Sequence, residues 1–444
     1  MCTTRGVCGA VAILLALHFA TGNASDAATP PDGSGRQVLD LSHLQWSAQR
    51  AAGTGEYPAP VVPATVPGDI LAALERSDAL GINNQSMYFS TNLLNPSVHA
   101  AQNASYWLNV TVPMVSGGSF LGRSRHTLVV DGLDYNATLF LNGQKLGSHA
   151  GPYKICRLAV LGGLLKSPSN ELAILFHMPP EGLIGSWLSP GNGAQGIMWS
   201  FLDYWKSMVG IGYDFAENLW TIGIQEGAQL LATDDILISD LVVLPSVQAP
   251  YSVALINASC TVDADTALEA DVEWSVTRLP SGSGSTGADP LVVRSRTSAS
   301  LQPGRNRLYS PSSLKVLDPA LWYPNGIGEQ PLYTLSVSLS KKLSGPASST
   351  ADASMDSLSR PFGIRELKQV RNPGPASWTY IEEFYCGPGE HTGAPPDRGA
   401  NCTFPDALVG LSAEQVDANR NWTFQINGRR VFARGANWCA SYSI

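Results

Sequence analysis

The sequence predicts an all-β protein built from β-sandwich domains, and two local patterns support this prediction. In the first pattern, apolar and polar residues alternate over 268–276 and again over 333–340. Such a period of two is typical of strands with one buried face. In the second pattern, an Asn-Gly pair separates two strand-like runs, at 142–143 and at 427–428. Both residues of this pair tolerate positive φ, so each pair predicts a tight hairpin.

Helical patterning is confined to short segments. Residues 69–76 place Ile70, Leu71 and Leu74 on one side, which predicts a short helix. A second short helix is predicted over 158–165. The strand-rich remainder indicates one sandwich of roughly two hundred residues, a second of about a hundred and then the start of a new element.

Composition narrows the classes of partner and ligand. The chain has 444 residues and a net charge of −8 without a basic cluster, which argues against nucleic acid as a partner. Its histidines are scattered and it contains no Cys-x-x-Cys pair, so neither a metal site nor a cofactor is predicted. With 7 cysteines in the whole chain, a hydrophobic core rather than a disulfide scaffold must hold the fold.

The first residues resemble a secretory signal. Arg5 precedes the apolar run 11–17, and small residues follow over 20–24, which predicts a signal peptide at 1–24. An N-terminal membrane anchor is the alternative, and no membrane span is predicted after signal removal. The expected location is outside the cell, or the lumen of the secretory or lysosomal pathway.

Candidate modification sites agree with that location. Beyond the predicted signal peptide, seven Asn-X-Ser/Thr sequons mark predicted N-glycosylation sites, which are Asn84, Asn103, Asn109, Asn136, Asn257, Asn401 and Asn421. Cys386 and Cys402 bracket a loop rich in Gly and Pro, and they could form a disulfide.

Five segments together carry a family resemblance. They are 66–71 (VPGDIL), 131–153 (beginning DGLDYNATLFLNG), 321–333 (LWYPNGIGEQPLY), 362–365 (FGIR) and 424–438, which ends in GANW. In this order they are similar to segments of glycoside hydrolase family 2, on its β-mannosidase and exo-β-glucosaminidase side. The segment 321–333 is the most specific of the five.

The resemblance implies three domains. Residues 25–247 are expected to form a jelly-roll sugar-binding domain, 248–371 an immunoglobulin-like sandwich, and 372–444 an irregular insertion followed by the first strand of a (β/α)₈ barrel. Such a barrel needs about 250 residues. We therefore expect a truncated barrel in a fragment or truncated gene model, with the catalytic carboxylates beyond the chain end.

The resemblance also implies a function. It is that of a retaining exo-β-glycosidase that hydrolyses O-glycosidic bonds of β-linked oligosaccharides or glycans without a cofactor. Such enzymes use two carboxylates about 5 Å apart. No catalytic residue is assigned in this chain, because Asn170-Glu171 opens a sandwich strand and lacks the expected context. A non-catalytic carbohydrate-binding protein and an interaction scaffold are the alternatives.

Part of the sugar-binding wall is expected in this chain. Asp214 lies in a segment that resembles the family's G-W-D-W, whose aspartate binds sugar hydroxyls; here tyrosine and phenylalanine replace the two tryptophans. A fixed carboxylate accepts two hydroxyl hydrogen bonds well. Asn437 and Trp438 match the family's G-A-N-W, where the tryptophan stacks on the sugar. The alternatives are an aspartate at a turn and a tryptophan in the core.

Overall fold

A computed structural model describes the chain over ten ranges, and within them strands predominate. The described residues are 35–52, 59–83, 85–87, 92, 95–114, 119–178, 220–279, 291–342, 354–371 and 422–433. Within these ranges the chain forms twenty-two strands and two short helices. The all-β prediction is confirmed.

The first sandwich consists of two antiparallel sheets. One has the order β1-β11-β6-β9, with β4 also pairing β11, and the other has the order β3-β2-β5-β10-β7-β8. The strands are β1 (Gln37–Asp40), β2 (Trp46–Arg50), β3 (Val62–Ala64), β4 (Gly68–Asp69), β5 (Tyr106–Pro113), β6 (Arg125–Asp134), β7 (Asn136–Leu141), β8 (Gln144–Ala150), β9 (Cys156–Val160), β10 (Ser169–Phe176) and β11 (Gly223–Thr233). Fully buried side chains such as Leu128, Leu139 and Ile174 fill the space between the sheets. The jelly-roll assignment of this sandwich stays a prediction.

The second sandwich consists of two four-stranded sheets. Their orders are β12-β13-β16, with β17 also pairing β13, and β15-β14-β18-β19. The strands are β12 (Ile236–Val247), β13 (Val253–Ala264), β14 (Leu268–Arg278), β15 (Leu291–Leu301), β16 (Gly304–Tyr309), β17 (Lys315–Leu317), β18 (Tyr333–Lys341) and β19 (Ser354–Phe362). The predicted alternation in β14 and β18 is confirmed, because their apolar residues, among them Trp274 and Leu335, are buried in one core.

The change from the first sandwich to the second occurs earlier than the sequence suggested. Strand β12 pairs along its length with β13, and Ile236 and Ile238 lie in the second core. The turn between the sandwiches therefore lies at 234–235, before β12, whereas the sequence placed the boundary after residue 247, where β12 ends. Strands β11 and β12 are both rich in apolar residues, so composition alone did not show that they belong to different sandwiches.

A small third sheet follows the second sandwich. It is formed by β20 (Leu367–Arg371), β21 (Trp422–Ile426) and β22 (Arg429–Val431), in that order. The two Asn-Gly hairpins are confirmed: φ is 50° at Asn142 and 47° at Asn427, and the glycine that follows each has a φ near 80°.

Of the two helices predicted from the sequence, the structure contains one. Helix α1 (Ile70–Arg76) begins after Asp69 as predicted. The helix predicted over 158–165 is wrong, because Leu158 and its neighbours lie in β9 and pair with β6. Helix α2 (Pro96–Gln102) was not predicted, although Asn95 followed by proline is a recognised helix start. Neither helix is long and apolar enough to cross a membrane.

A buried ion pair fastens the beginning of the first sandwich to the second. Arg36 Nε donates to Asp356 Oδ1 at 2.8 Å, and its terminal nitrogen donates to Asp356 Oδ2 at 2.7 Å and to the Ile238 carbonyl at 2.6 Å. The Asp356 side chain is fully buried and that of Arg36 is 9% exposed. The backbones also approach closely here, since a Cβ on Gly35 would lie 2.0 Å from the Met355 carbonyl oxygen.

Candidate functional site

The residues predicted to bind sugar, Asp214, Asn437 and Trp438, lie outside the described residues. So do Cys386 and Cys402 of the predicted disulfide. The described structure does contain the segments that adjoin both parts of the predicted site. Residues 220–222 follow Asp214 after a few positions, and Ala433 precedes Asn437 by four.

Three polar side chains hold residues 220–222, and we call Asp69, Gln102 and Asp134 the return clamp. Gln102 Oε1 accepts a hydrogen bond from Trp220 N at 2.9 Å. Asp134 Oδ2 accepts one from Thr221 Oγ1 at 2.9 Å, and Asp69 Oδ2 accepts one from Ile222 N at 2.7 Å. All three clamp side chains belong to buried residues. The segment that leads into β11 is therefore held at three consecutive residues.

Asp69 has a second task at the start of α1. Its Oδ1 accepts hydrogen bonds from Leu71 N at 2.7 Å and Ala72 N at 3.2 Å, so the same carboxylate caps the helix. The backbones also meet closely, because a Cβ on Gly223 would lie 2.2 Å from the Gly68 carbonyl oxygen. One aspartate thus joins α1 to β11.

The return clamp explains two of the segments that carried the family resemblance. Asp69 belongs to 66–71 and Asp134 to 131–153, and both hold the chain that returns from the segment with Asp214. Gln102 was missed by sequence reasoning. A glutamine at a helix end carries no local signal of its partner, which here lies 118 positions away.

A second group of contacts, which we call the hairpin clamp, holds the β21–β22 turn against the second sandwich. Asn427 Nδ2 donates to the Trp322 carbonyl at 3.0 Å, and Asn427 Oδ1 accepts from Glu366 N at 2.8 Å. The backbone N–H of Asn427 also donates to the Glu366 carbonyl at 3.0 Å. Asn427 is 5% exposed. The hairpin clamp comprises Trp322, Glu366 and Asn427.

Cations and rings extend the hairpin clamp. Arg365 Cζ lies 4.5 Å from the centre of the Trp322 ring, and Arg429 Cζ lies 5.7 Å from that of Tyr323. Arg429 also donates to the Ile327 carbonyl at 3.0 Å. Cation–π contacts of this kind are attractive. The segment 321–333, the most specific sequence signal, therefore forms the surface that receives the hairpin.

An ion pair and a tyrosine lie beside the turn. Lys368 Nζ lies 2.6 Å from Glu366 Oε1, and Tyr251 Oη donates to Glu366 Oε2 at 2.9 Å. The hydrogen bond from Lys368 lowers the pKa of Glu366. Desolvation, together with the hydrogen bond to Glu366, raises the pKa of Tyr251. At neutral pH the carboxylate of Glu366 is therefore ionised and the phenol of Tyr251 keeps its proton. The hydrogen bond from Tyr251 Oη to Glu366 requires these two protonation states.

The other Asn-Gly turn uses its asparagine in the same way. Asn142 Nδ2 donates to the Leu164 carbonyl at 2.7 Å and to Asn170 Oδ1 at 2.8 Å, and its Oδ1 accepts from Glu171 N at 2.9 Å. Asn170 is 2% exposed and opens β10. Asn170-Glu171 therefore lies at the start of a sandwich strand, as the sequence predicted, and binds the Asn142 side chain there.

The described residues contain no group of three His, Cys, Asp or Glu side chains that could hold a metal ion. Their two cysteines, Cys156 and Cys260, are free and buried. Burial raises the pKa of Cys156 to about 11 and that of Cys260 to about 12. Both thiols are therefore protonated at neutral pH and are poor nucleophiles or metal ligands.

Replacing Asn427 with alanine is expected to loosen the hairpin without unfolding the sandwiches. The change removes two side-chain hydrogen bonds and leaves a residue that disfavours positive φ, which together cost about 2 kcal/mol or more. Amide exchange over 422–431 should then accelerate by about 30-fold. Hydrogen exchange read by mass spectrometry measures this change.

Two variants serve as controls for this experiment. Asn427→Gly keeps the backbone freedom and loses only the side-chain bonds, so its effect should be smaller. Asn142→Ala makes the matching change in the first sandwich and should accelerate exchange around β7 and β8 instead. An unchanged exchange rate over 422–431 in Asn427→Ala would contradict the role given to the hairpin clamp.

Comparisons with known proteins match the two sandwiches separately. Residues 46–225 match a family model described as glycosyl hydrolase 2 galactose-binding domain-like, and residues 236–365 match the model of glycosyl hydrolases family 2. The second match begins at the first residue of β12, in agreement with the position of the turn between the sandwiches.

Curated relatives cover most of this chain but less than half of their own length. A mannosylglycoprotein endo-β-mannosidase of Lilium longiflorum is 22% identical over 91% of this chain and 36% of that protein. A β-mannosidase B of Aspergillus oryzae is 23% identical over 85% of this chain and 40% of that protein. The chain thus spans about two fifths of the length of these relatives.

Solved structures share the fold. A β-D-mannosidase from Dictyoglomus thermophilum has a TM-score of 0.60 and 20% identity, over 90% of this chain and 40% of that one. An exo-chitosanase from Amycolatopsis orientalis has a TM-score of 0.57 and 15% identity, over 90% and 37%. Both matched family models belong to one family, and together they extend over more than half of the chain. The chain therefore belongs to glycoside hydrolase family 2, as a β-mannosidase-like protein.

Proposed function

We propose that this chain supplies the two sandwich domains and the leading hairpin of a retaining exo-β-glycosidase that hydrolyses terminal β-mannosides. In this proposal the catalytic carboxylates lie in a (β/α)₈ barrel that continues from the hairpin. The names of the relatives support the β-mannoside as substrate. A β-glucosaminide is the second substrate to test, because the family resemblance includes both activities.

The hairpin clamp is the observation that carries the proposal. Asn427 and Arg429 fix the turn on the segment 321–333, so the chain leaves the second sandwich in a defined position. Asn437 and Trp438 follow the described end of this hairpin after a few residues. A sugar subsite at the end of a barrel strand needs such a fixed start, because small displacements of binding groups weaken catalysis strongly.

The return clamp supports the role proposed for Asp214. The chain that follows this residue is held at Trp220, Thr221 and Ile222 by buried acceptors. In the proposed mechanism the Asp214 carboxylate accepts hydrogen bonds from two hydroxyls of the terminal sugar. Trp438 stacks on the apolar face of the same sugar, and Asn437 contacts its rim.

We also propose that the chain enters the secretory pathway and carries N-glycans. Of the sequon asparagines that the structure describes, Asn103, Asn136 and Asn257 are exposed and Asn109 is half-buried. Exposed side chains are compatible with attached glycans. The remaining sequons and the predicted signal peptide lie outside the described residues.

The test is an assay of the protein encoded by the longest natural transcript that contains this chain. We expect hydrolysis of an aryl β-mannoside, and we expect Asp214→Ala to lower kcat/KM by about 10- to 100-fold, since hydrogen bonds to a charged group contribute about 1.5–3 kcal/mol. Asp271→Ala, on an exposed sheet face, is the matched control and should leave kcat/KM unchanged.

Other outcomes would reject the proposal. If the full protein hydrolyses neither aryl β-mannoside nor aryl β-glucosaminide, the glycosidase proposal fails. Retention on a glycan column without hydrolysis would then favour the non-catalytic carbohydrate-binding alternative.

A further inference from the structure

The outer face of one sheet of the second sandwich carries a group of exposed apolar side chains. We call the exposed side chains on the β12-β13-β16-β17 sheet the apolar face, and they are Leu244, Val253, Leu255, Tyr309 and Leu317. Their exposed fractions run from 40% for Val253 to 71% for Leu317. Single exposed apolar residues are ordinary, but a contiguous group of them usually has a partner or a cover.

The opposite outer face of the same sandwich has a different character. There Glu273 lies between Arg294 and Arg296, at 3.1 Å and 2.7 Å, and Ser298 Oγ donates to Asp271 at 2.7 Å. The serines of β18 lie on that side as well. That side exposes Leu291, whereas the β12-β13-β16-β17 sheet exposes five large apolar side chains beside the Arg305–Asp263 pair. The apolar face is therefore a patch within an otherwise mixed sheet surface.

Strand register places Asn257 within the apolar face. Side chains at alternate positions of β13 share a side, so Val253, Leu255 and Asn257 point outward together. Leu244 lies directly across from Asn257, and Leu317 directly across from Val253. Asn257 thus lies next to Leu244 and Leu255 on this face.

Asn257 also carries a glycosylation signal. It begins the sequon Asn-Ala-Ser, whose hydroxyl residue is Ser259. The asparagine is exposed. Tyr309 pairs with Ser259 and lies beneath Arg307, whose Cζ is 5.7 Å from the ring centre. A group attached to Asn257 would therefore lie close to the exposed ring.

We propose that an N-linked glycan on Asn257 covers the apolar face. In the transfer, a bond forms between Asn257 Nδ2 and C1 of a lipid diphosphate-linked oligosaccharide. The C1–O bond to the diphosphate breaks, the lipid diphosphate leaves with the electron pair, and the amide nitrogen loses one proton to a base of the transferase. The glycan is bulky and presents its hydroxyl groups to solvent, while its sugar C–H groups contact Leu244 and Tyr309.

This proposal commits to a glycan rather than to a second copy of the chain. A protein partner would have to exclude Asn257 from modification, whereas the sequon lies in the middle of the face. The inference rests on the proposed passage through the secretory pathway. The experiment must therefore distinguish loss of the glycan on Asn257 from loss of every N-glycan.

The experiment uses the full chain secreted from a mammalian host. Glycopeptide mass spectrometry is expected to find Asn257 occupied. Hydroxyl-radical footprinting should show Tyr309 oxidised about threefold faster or more in Asn257→Gln, because the glycan no longer shields the ring. Asn136→Gln removes an exposed sequon on a strand of the first sandwich and should leave the Tyr309 rate unchanged.

A second measurement tests the proposal even if the Asn257→Gln variant does not fold. Peptide-N-glycosidase treatment of the folded wild-type protein removes the glycan, and the same acceleration at Tyr309 is expected. Occupied Asn103 or Asn136 with an unoccupied Asn257 would overturn this inference alone. An unchanged Tyr309 rate after glycan loss would also overturn it, and absence of glycan at every sequon would overturn it together with the secretory proposal.

Discussion

Replacing Asp356 with alanine is expected to destabilise the second sandwich by about 3 to 5 kcal/mol, because it leaves a buried charge without its partner. Arg36 would lose both carboxylate contacts while its side chain stays 9% exposed. The backbone N–H of Ile238, which donates to Asp356 Oδ2 at 2.5 Å, would lose its acceptor as well.

The effect of Asp356→Ala should appear in particular segments. Amide exchange over β12 and β19 is expected to accelerate by about 100-fold or more, because both strands depend on this carboxylate. Residues 35–40 should exchange faster too, since Arg36 holds this segment to the second sandwich. Hydrogen exchange with mass spectrometry resolves these peptides from the rest of the first sandwich.

The matched control is Asp263→Ala in the same sandwich. This residue pairs with Arg305 at 3.2 Å, but the arginine side chain is 76% exposed. Exposed pairs contribute about 0–1 kcal/mol, so Asp263→Ala should change stability little. If both aspartate variants lose the same small amount of stability, the buried ion pair does not fasten the two sandwiches.

Replacing Asp69 with alanine is the second large expected effect, at about 3 kcal/mol or more in the first sandwich. Three backbone N–H groups, those of Leu71, Ala72 and Ile222, would lose their acceptor. A buried donor without a partner costs about 1–3 kcal/mol, and loss of a helix cap alone costs about 1 kcal/mol.

Calorimetry measures the effect of Asp69→Ala. The unfolding transition of the first sandwich should shift down by about 6–12 °C, since 1 kcal/mol shifts a domain of this size by about 2–4 °C. The transition of the second sandwich should stay in place, because the backbone groups that donate to Asp69, those of Leu71, Ala72 and Ile222, belong to the first sandwich. Asp69→Asn retains the Oδ1 acceptor and should lose less stability.

A functional consequence follows in the full-length protein. If Asp69 positions the chain that carries Asp214, then Asp69→Asn should raise KM for an aryl β-mannoside at a temperature where the variant is still folded. If the variant loses stability but its KM is unchanged, Asp69 contributes to stability alone, as a helix cap does. The return clamp would then have no part in sugar binding.

Local features of the fold were readable in the sequence. The alternating strands β14 and β18, the two Asn-Gly turns and the cap of α1 depend on the conformational preferences of a few adjacent residues. For the same reason, α2 could have been found from Asn95 and the proline that follows it. The order of the five family segments indicated glycoside hydrolase family 2, and the comparisons with known proteins confirmed it.

Features that depend on distant partners were not readable. The apolar run in β9 resembled a helix until its pairing with β6 was known, and β12 resembled the end of the first sandwich until its pairing with β13 was known. The roles of Asp214, Asn437 and Trp438 stay predictions, because these residues lie outside the described part of the chain.

The sequence by itself determined the alternating strands β14 and β18, the two Asn-Gly turns and the family, because each of these is encoded by short stretches of residues. The tertiary structure alone decided that Arg36 pairs with Asp356 across 320 positions, that Gln102 holds Trp220, and that Asn257 lies within an apolar face. The physical reason is that burial, pairing and the loss of solvent around a polar group arise only when distant segments meet. A residue's own type does not specify which segment that will be.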